Sequence, residues 1–147
     1  DARRVPDSEG AEGPFFSPDG KWIAFGAGSI SGRSTEPRQL KKYSLETGRT
    51  STVCSVEDYF GGTWRDDGTI FFVNQQPTGL WRVSAEGGVA ELVGAERRIG
   101  LAWPQMLPGG DRALIVHWTG PEIGRVVTID LRSGETTDLG IAGISPR

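Results

Sequence analysis

The sequence predicts an all-β fold of three four-stranded antiparallel propeller blades, a partial β-propeller equal to half of a six-bladed ring. Three observations lead there. One landmark occurs three times: Phe16-Ser17-Pro18-Asp19-Gly20 before the apolar run Trp22 to Phe25, Trp64-Arg65-Asp66-Asp67-Gly68 before Ile70 to Val73, and Met106-Leu107-Pro108-Gly109-Gly110 before Ala113 to Val116. A second landmark tracks it: Tyr43-Ser44-Leu45-Glu46-Thr47-Gly48, Val83-Ser84-Ala85-Glu86-Gly87-Gly88 and Ile129-Asp130-Leu131-Arg132-Ser133-Gly134. The closing glycines are 48 and 42 residues apart in the first set and 40 and 46 apart in the second. Two landmarks that keep one period mark a repeat architecture. The third observation is that the apolar runs do not alternate, which requires burial on both faces.

Each repeat divides into four strands. The first ends at the aromatic or Met position, and Asp-Gly or Gly-Gly then supplies the positive backbone angles of a tight hairpin. The second strand is the apolar run itself. The third spans Leu40 to Leu45, Leu80 to Ser84 or Val126 to Leu131, and a glycine turn leads into a fourth at Thr50 to Cys54, Ala90 to Val93 or Thr136 to Leu139. No segment combines a 3.6-residue apolar period with caps, so no helix is expected. A twisted four-stranded sheet that is apolar on both faces needs a neighbour on each side, which is the situation of a propeller blade. A β-sandwich, the alternative, would alternate along each strand.

A single partial propeller domain over residues 1–147 is therefore expected, with blades at about 13–54, 61–93 and 102–140. Counting on from Phe15, Thr63 and Gln105, the next equivalent position is Arg147, so residues 141–147 are expected to open the first strand of a fourth blade.

Composition narrows the function. The 22 glycines in 147 residues are about twice the usual share and go with many turns. Net charge is −3 with both signs interspersed, so no basic field is available for nucleic acid. No run of residues is apolar enough to span a membrane, and the sequence itself points to no compartment. One cysteine, Cys54, and one histidine, His117, cannot make a disulfide or a Cys/His zinc site, and no metal or cofactor is expected.

The motif Ser17-Pro18-Asp19-Gly20-Lys21-Trp22-Ile23-Ala24-Phe25 resembles the signature of TolB-like propeller repeats, in which a Ser-Pro-Asp-Gly turn precedes a hydrophobic strand. Gly61-Gly62-Thr63-Trp64, Asp67-Gly68-Thr69-Ile70, Gly79-Leu80-Trp81-Arg82-Val83 and Trp103-Pro104-Gln105-Met106-Leu107-Pro108 are similar to the C-terminal propeller of bacterial eukaryote-like Ser/Thr protein kinases. The resemblance extends from about Gly13 to Arg147. It implies a binding, sensing or scaffolding role and an extracytoplasmic location. The second and third repeats depart from it at Arg65-Asp66-Asp67-Gly68 and Leu107-Pro108-Gly109-Gly110, and such propellers usually have six or more blades.

Catalytic arrangements are scarce. Any Ser or Cys nucleophile would have to use His117 as its base, and Gly28-Ser29-Ile30-Ser31-Gly32 puts Ile where a nucleophile elbow needs Ser. The acids Asp19 and Asp67 sit in turns, where Asx-type bonding accounts for them. No phosphate-cradling Gly-Lys-Ser/Thr follows Gly26-Ala27-Gly28, and the kinase catalytic motifs are absent. A hydrolase is the least favoured reading, and no catalytic residue is assigned.

Strand order places the tight glycine turns at one end of the blades and the variable connections at the other. Those connections are Gly26 to Gln39, Asn74 to Thr78, His117 to Ile123, Ser55 to Phe60 and Gly94 to Gly100. This loop face collects Arg33, Arg38, Tyr59, Phe60, Asn74, Gln75, Gln76, Arg97, Arg98, His117 and Trp118, the candidate contacts for a protein, peptide or small ligand. A Gly/Ser-rich flexible stretch is the plain alternative for residues 26–39. Among the tryptophans, Trp22, Trp64, Trp81 and Trp103 are read as packing residues, and Trp118 as an exposed loop aromatic. Three blades leave an open arc with two apolar end faces, so either a homodimer that closes a six-bladed ring or further blades of a longer chain are expected; a purely structural role without a ligand is the alternative function.

Overall fold

A computed structural model describes residues 4–28, 38–75, 78–94, 99–120 and 124–143. The repeat is visible first in its turns. Gly20, Gly68 and Gly110 have φ of 69°, 84° and 75°, and their N–H groups donate to the carbonyls of Ser17, Arg65 and Leu107 at 2.9, 3.0 and 3.1 Å. A second hydrogen bond stitches each blade at this end, from Leu45 to Lys21, Ala85 to Gly68 and Leu131 to Asp111.

The strands are β1 (Glu12–Phe16), β2 (Trp22–Ala27), β3 (Gln39–Ser44) and β4 (Thr50–Ser55) in the first blade. The second has β5 (Tyr59–Trp64), β6 (Thr69–Gln75), β7 (Thr78–Ser84) and β8 (Glu91–Leu92), and the third has β9 (Leu101–Met106), β10 (Arg112–Trp118), β11 (Gly124–Asp130) and β12 (Thr136–Gly143). Each blade is an antiparallel sheet in sequence order, and the described residues contain no helix. The all-β, three-blade expectation holds.

Three details differ from the sequence reading. Asn74, Gln75, His117 and Trp118, expected in loops, lie in β6 and β10, because the hairpins pair to their ends: Gln75 opposite Thr78 and Trp118 opposite Gly124. Tyr59 and Phe60, expected in an interblade link, open β5. Residues 141–143, expected to begin a fourth blade, continue β12, with Ile141 opposite Val126 and Gly143 opposite Gly124. Gly140, at φ 71°, makes the bulge that carries β12 onward.

The equivalence of the second strands also shifts by one residue. Ser17 N–H reaches Trp22 and Leu107 N–H reaches Arg112, but Arg65 N–H reaches Thr69, so the second blade has the shorter turn. Ile23, Ile70 and Ala113 are then equivalent, opposite Phe16, Trp64 and Met106.

With that register, every blade has a leading face toward the preceding blade and a trailing face toward the next. The first interface packs Ala24, Leu40 and Val53 of the first blade against Trp64, Ile70, Phe72, Val83 and Ala85 of the second. The second packs Phe71, Val73 and Leu80 against Ala113, Ile115, Val127, Ile129 and Leu131 of the third. In β6 both faces are therefore buried, as its continuous apolarity requires. In β10 Ala113 and Ile115 are buried but Leu114 and Val116, on the trailing side, are only half-buried.

Close approach at the first interface depends on missing side chains. A Cβ on Gly26 would lie 2.5 Å from Tyr59 Cδ1, and one on Gly62 would lie 2.6 Å from Phe15 Cε1. Phe15 then meets Trp64 edge to face, with centroids 6.5 Å apart. At the second interface Thr63, the equivalent of Phe15, uses its hydroxyl oxygen to accept the Met106 N–H at 2.9 Å.

Candidate functional site

The loop-bearing end is organised by polar groups that tie blades together. Tyr59 is buried, and its hydroxyl donates to the Gly13 carbonyl at 2.8 Å. Burial, reinforced by the Glu12 carboxylate, pushes its phenol well above the ordinary tyrosine range. Arg38 is buried beside Glu12 and forms an ion pair with it, while its carbonyl accepts the Val56 N–H at 2.9 Å. The Arg38 end of the pair is buried and the Glu12 end is open to solvent, so the pair ties the start of β1 to the residue before β3. Asn74 is also buried, and its side-chain carbonyl accepts the Glu57 N–H at 3.0 Å.

Gln75 bridges the second and third blades, donating from Nε2 to the Leu101 carbonyl at 3.1 Å. His117 stands opposite Leu101 across the β9–β10 ladder, and Trp118 N–H donates to the Gly100 carbonyl at 2.7 Å. Both side chains are half-buried. Gln75, His117 and Trp118 are therefore brought to one region by the ladder. Phe60 is exposed at the start of β5. Arg33, Gln76, Arg97 and Arg98 lie outside the described residues.

One residue at this end was read from sequence only as a packing tryptophan. Gly13, Gly61 and Trp103 occupy the same bulged position in β1, β5 and β9, with φ of 54°, 88° and 51°. Two blades use glycine where a left-handed backbone is needed, and the third uses a tryptophan that is 42% exposed. Its ring lies over Gly61, since a Cβ there would meet Trp103 Cδ1 at 3.2 Å. Phe60, the neighbour of Gly61 in β5, is 42% exposed as well, so two half-open aromatics lie on adjacent inner strands. The repeat alignment could have flagged position 103, where Trp replaces Gly.

The tight-turn end, for which the sequence suggests no contact residue, carries two clefts. One, of about 410 Å³, is lined by Arg65, Arg82, Asp111, Asp130, Leu131 and Arg132. The other, of about 450 Å³, includes Trp22, Trp64, Asp19, Asp66 and Glu86 in its walls. Three of the charged lining residues are ion-paired: Arg65 with Asp67 at 2.6 Å, Arg82 with Glu91 at 2.9 Å, and Glu86 with Lys42 at 3.0 Å, the Lys42 ammonium lying 4.6 Å from the Trp22 ring centre. Ser17 Oγ donates to Asp19 at 2.6 Å and holds that carboxylate below its usual range. The turn acids are thus spent on backbone and neighbouring groups, as Asx-type turns predict.

Among the described residues no group of His, Cys, Asp and Glu could hold a metal ion, and no helix is long and apolar enough to cross a membrane. Cys54 is half-buried in β4, and burial pushes its thiol up to about 11, which suppresses the thiolate needed for nucleophilic chemistry.

No family model matches the sequence, and no curated protein matches it. The fold does match solved structures. A putative TolB from Agrobacterium tumefaciens is 19% identical with a TM-score of 0.70, over 88% of this chain and 48% of its own. The Nidogen/Laminin complex contains a chain 13% identical with a TM-score of 0.72, over 92% of this chain and 49% of its own. A puromycin-hydrolyzing peptidase from Mycobacterium tuberculosis is 19% identical with a TM-score of 0.66, over 91% of this chain but 22% of its own. The structural neighbours are TolB and other β-propeller proteins, and this chain spans about half or less of their length.

Proposed function

We propose that this chain is a non-enzymatic propeller segment that binds a protein, peptide or small ligand at its loop-bearing end. The observation that carries the reading is Trp103: a bulky residue held at φ 51° and 42% exposed, where both equivalent positions are glycine. A non-glycine residue in that region costs on the order of 1–3 kcal/mol and persists where the surroundings over-determine it, a pattern associated with ligand sites. Trp103 and Phe60 offer apolar contact area, and Gln75, His117 and Trp118 flank them with polar and aromatic groups. Arg38, Tyr59 and Asn74, buried and bonded within the chain, support this face from beneath rather than contact the ligand, and Arg33, Gln76, Arg97 and Arg98 belong to it by the sequence reading alone. The narrower form of the proposal, a sensor segment of a membrane-bound Ser/Thr kinase, follows from the sequence resemblance, and the parent reading frame tests it.

A thermal-shift screen of peptide and small-molecule libraries tests the binding role. Hits should stabilise the wild-type chain and lose their effect on Trp103→Gly, a substitution the other two blades already carry, and on Trp118→Ala. A stabiliser indifferent to both would place binding elsewhere. Turnover of ester or peptide substrates that disappears on His117→Ala would overturn the non-enzymatic assignment.

A further inference from the structure

Several positions that are buried inside the arc are exposed at its two ends, while Phe25, the leading-face equivalent of Phe72 and Ile115, stays buried in the first blade. On the trailing face of the third blade, Leu139 occupies the position of Val53 and is 44% exposed, whereas Val53 is 4% exposed beneath the second blade. Ile141 stands in the place of Cys54, and Leu114, Val116 and Val126 continue the face. On the leading face of the first blade, Leu45 is 48% exposed, while its equivalents Ala85 and Leu131 are 4% and 2% exposed. Phe16 is 63% exposed where Trp64, its equivalent, is 9% exposed. The segment from Arg4 to Gly10 already covers part of this leading face: Gly28 N–H donates to Glu9 O at 3.0 Å next to the buried Ala27, Asp7 O accepts from Lys41 Nζ and Pro6 O from Thr50 Oγ1, and Leu45 and Phe16 remain open.

We infer that the trailing face of the third blade docks on the leading face of the first blade of a second copy of this chain, and the reverse, so that two arcs close one ring. The fit is specified by the chain's own interfaces, because the register that buries Val53 beside Ala85 is available between Leu139 and Leu45. An open arc leaves the trailing face and the Phe16–Leu45 part of the leading face in water, whereas two-fold pairing covers both ends of both arcs without leaving an end to polymerise. The pairing is heterologous at each contact, which separates it from a dimer formed by two like faces.

Light scattering behind a sizing column, with the 147-residue chain at micromolar concentration, should give twice the 15.8 kDa of one chain. Leu139→Lys on the trailing face and Leu45→Glu on the leading face should each give a monomer with unchanged strand content by circular dichroism. Val89→Glu, 90% exposed on the turn after β7, should leave the dimer intact. Mixing the two monomeric variants should restore a dimer, because one of its two contacts is then native on both sides. A monomeric wild type, a polymer larger than two, a Leu45→Glu variant that stays dimeric, or folded variants that do not recover on mixing would each overturn the inference. Should either variant lose its strand content, the wild-type mass and the mass of Phe16→Ser, expected to be monomeric, decide the point.

Discussion

Gly26→Ala is the substitution for which the interblade packing gives the sharpest expectation. Gly26 does not use the left-handed region, so a methyl group there adds no backbone strain. The added Cβ would lie 2.5 Å from Tyr59 Cδ1, 2.9 Å from Cγ and 3.1 Å from Cε1. Carbon contacts are comfortable at about 3.5–4.0 Å, so the ring would have to retreat by about 1 Å. Its retreat is blocked, because the ring is buried, its hydroxyl is fixed on Gly13 O at 2.8 Å, and a Cβ on Gly13 would itself lie 2.8 Å from Cε1. Overpacking of this kind costs about 1–3 kcal/mol, and the top of that range applies to a ring with no exit. Replacing glycine in a strand returns about 0.5–1 kcal/mol, so the net loss should be about 2 kcal/mol. Urea unfolding followed by tryptophan fluorescence measures it. In a Tyr59→Leu background the same Gly26→Ala change should cost less than about 0.5 kcal/mol, a coupling of about 2 kcal/mol between the sites. A loss below about 0.5 kcal/mol in the wild-type background, or equal losses in both backgrounds, would refute the packing argument.

Gly20→Val tests a turn with the opposite cause: nothing lies within 4 Å of its Cβ position, but φ is 69°, so strain alone should cost about 1–2 kcal/mol. Chemical unfolding that shows less than about 0.5 kcal/mol would remove the left-handed turn. Asp67, held far below the usual carboxylate range by its hydrogen bond to Arg65, and Asp19, Asp130 and Asp138, lowered chiefly by Ser17, Ser133 and Gly140, have folded pKa values below their unfolded ones. Their stabilisation is present above the unfolded carboxylate value of about 3.9 and is lost as pH falls through the folded values, so the melting temperature should drop below about pH 4. Asp67→Asn should flatten that limb, and an acid limb that Asp67→Asn leaves unaltered would contradict the assignment. Cys54, with its thiol raised from 9.0 to about 11, should react with iodoacetamide at pH 8 about 100-fold more slowly than an unperturbed thiol. Labelling at the rate of the denatured chain would exclude the burial.

Much of the fold could be read because its determinants are local. Asp19-Gly20 and Asp67-Gly68 announce hairpins by residue type, and the unbroken run Ile70 to Val73 announces a strand covered on both sides. Strand ends were less legible. Asn74, Gln75, His117 and Trp118 look like loop residues, yet their backbones complete ladders whose extent is set by the partner strand. The short turn of the second blade moved the true equivalent of Ile70 from Trp22 to Ile23, a shift visible only through the hydrogen bond from Arg65 to Thr69. The roles of Gly26 and Gly62 were hidden because they depend on Tyr59 and Phe15 from across a blade interface. Trp103 was hidden for a different reason, since its residue type disfavours the backbone angle it adopts.

The stacking of blades through glycine-backed faces underlies both the site and the proposed ring, and NMR measures it directly. In a spectrum of the folded chain, strong cross-relaxation is predicted between a Gly26 Hα and the Tyr59 ring and between a Gly62 Hα and the Phe15 ring, with both glycine protons shifted upfield by the rings facing them. Absence of these contacts in a chain whose β ladders are otherwise intact would contradict the stacking.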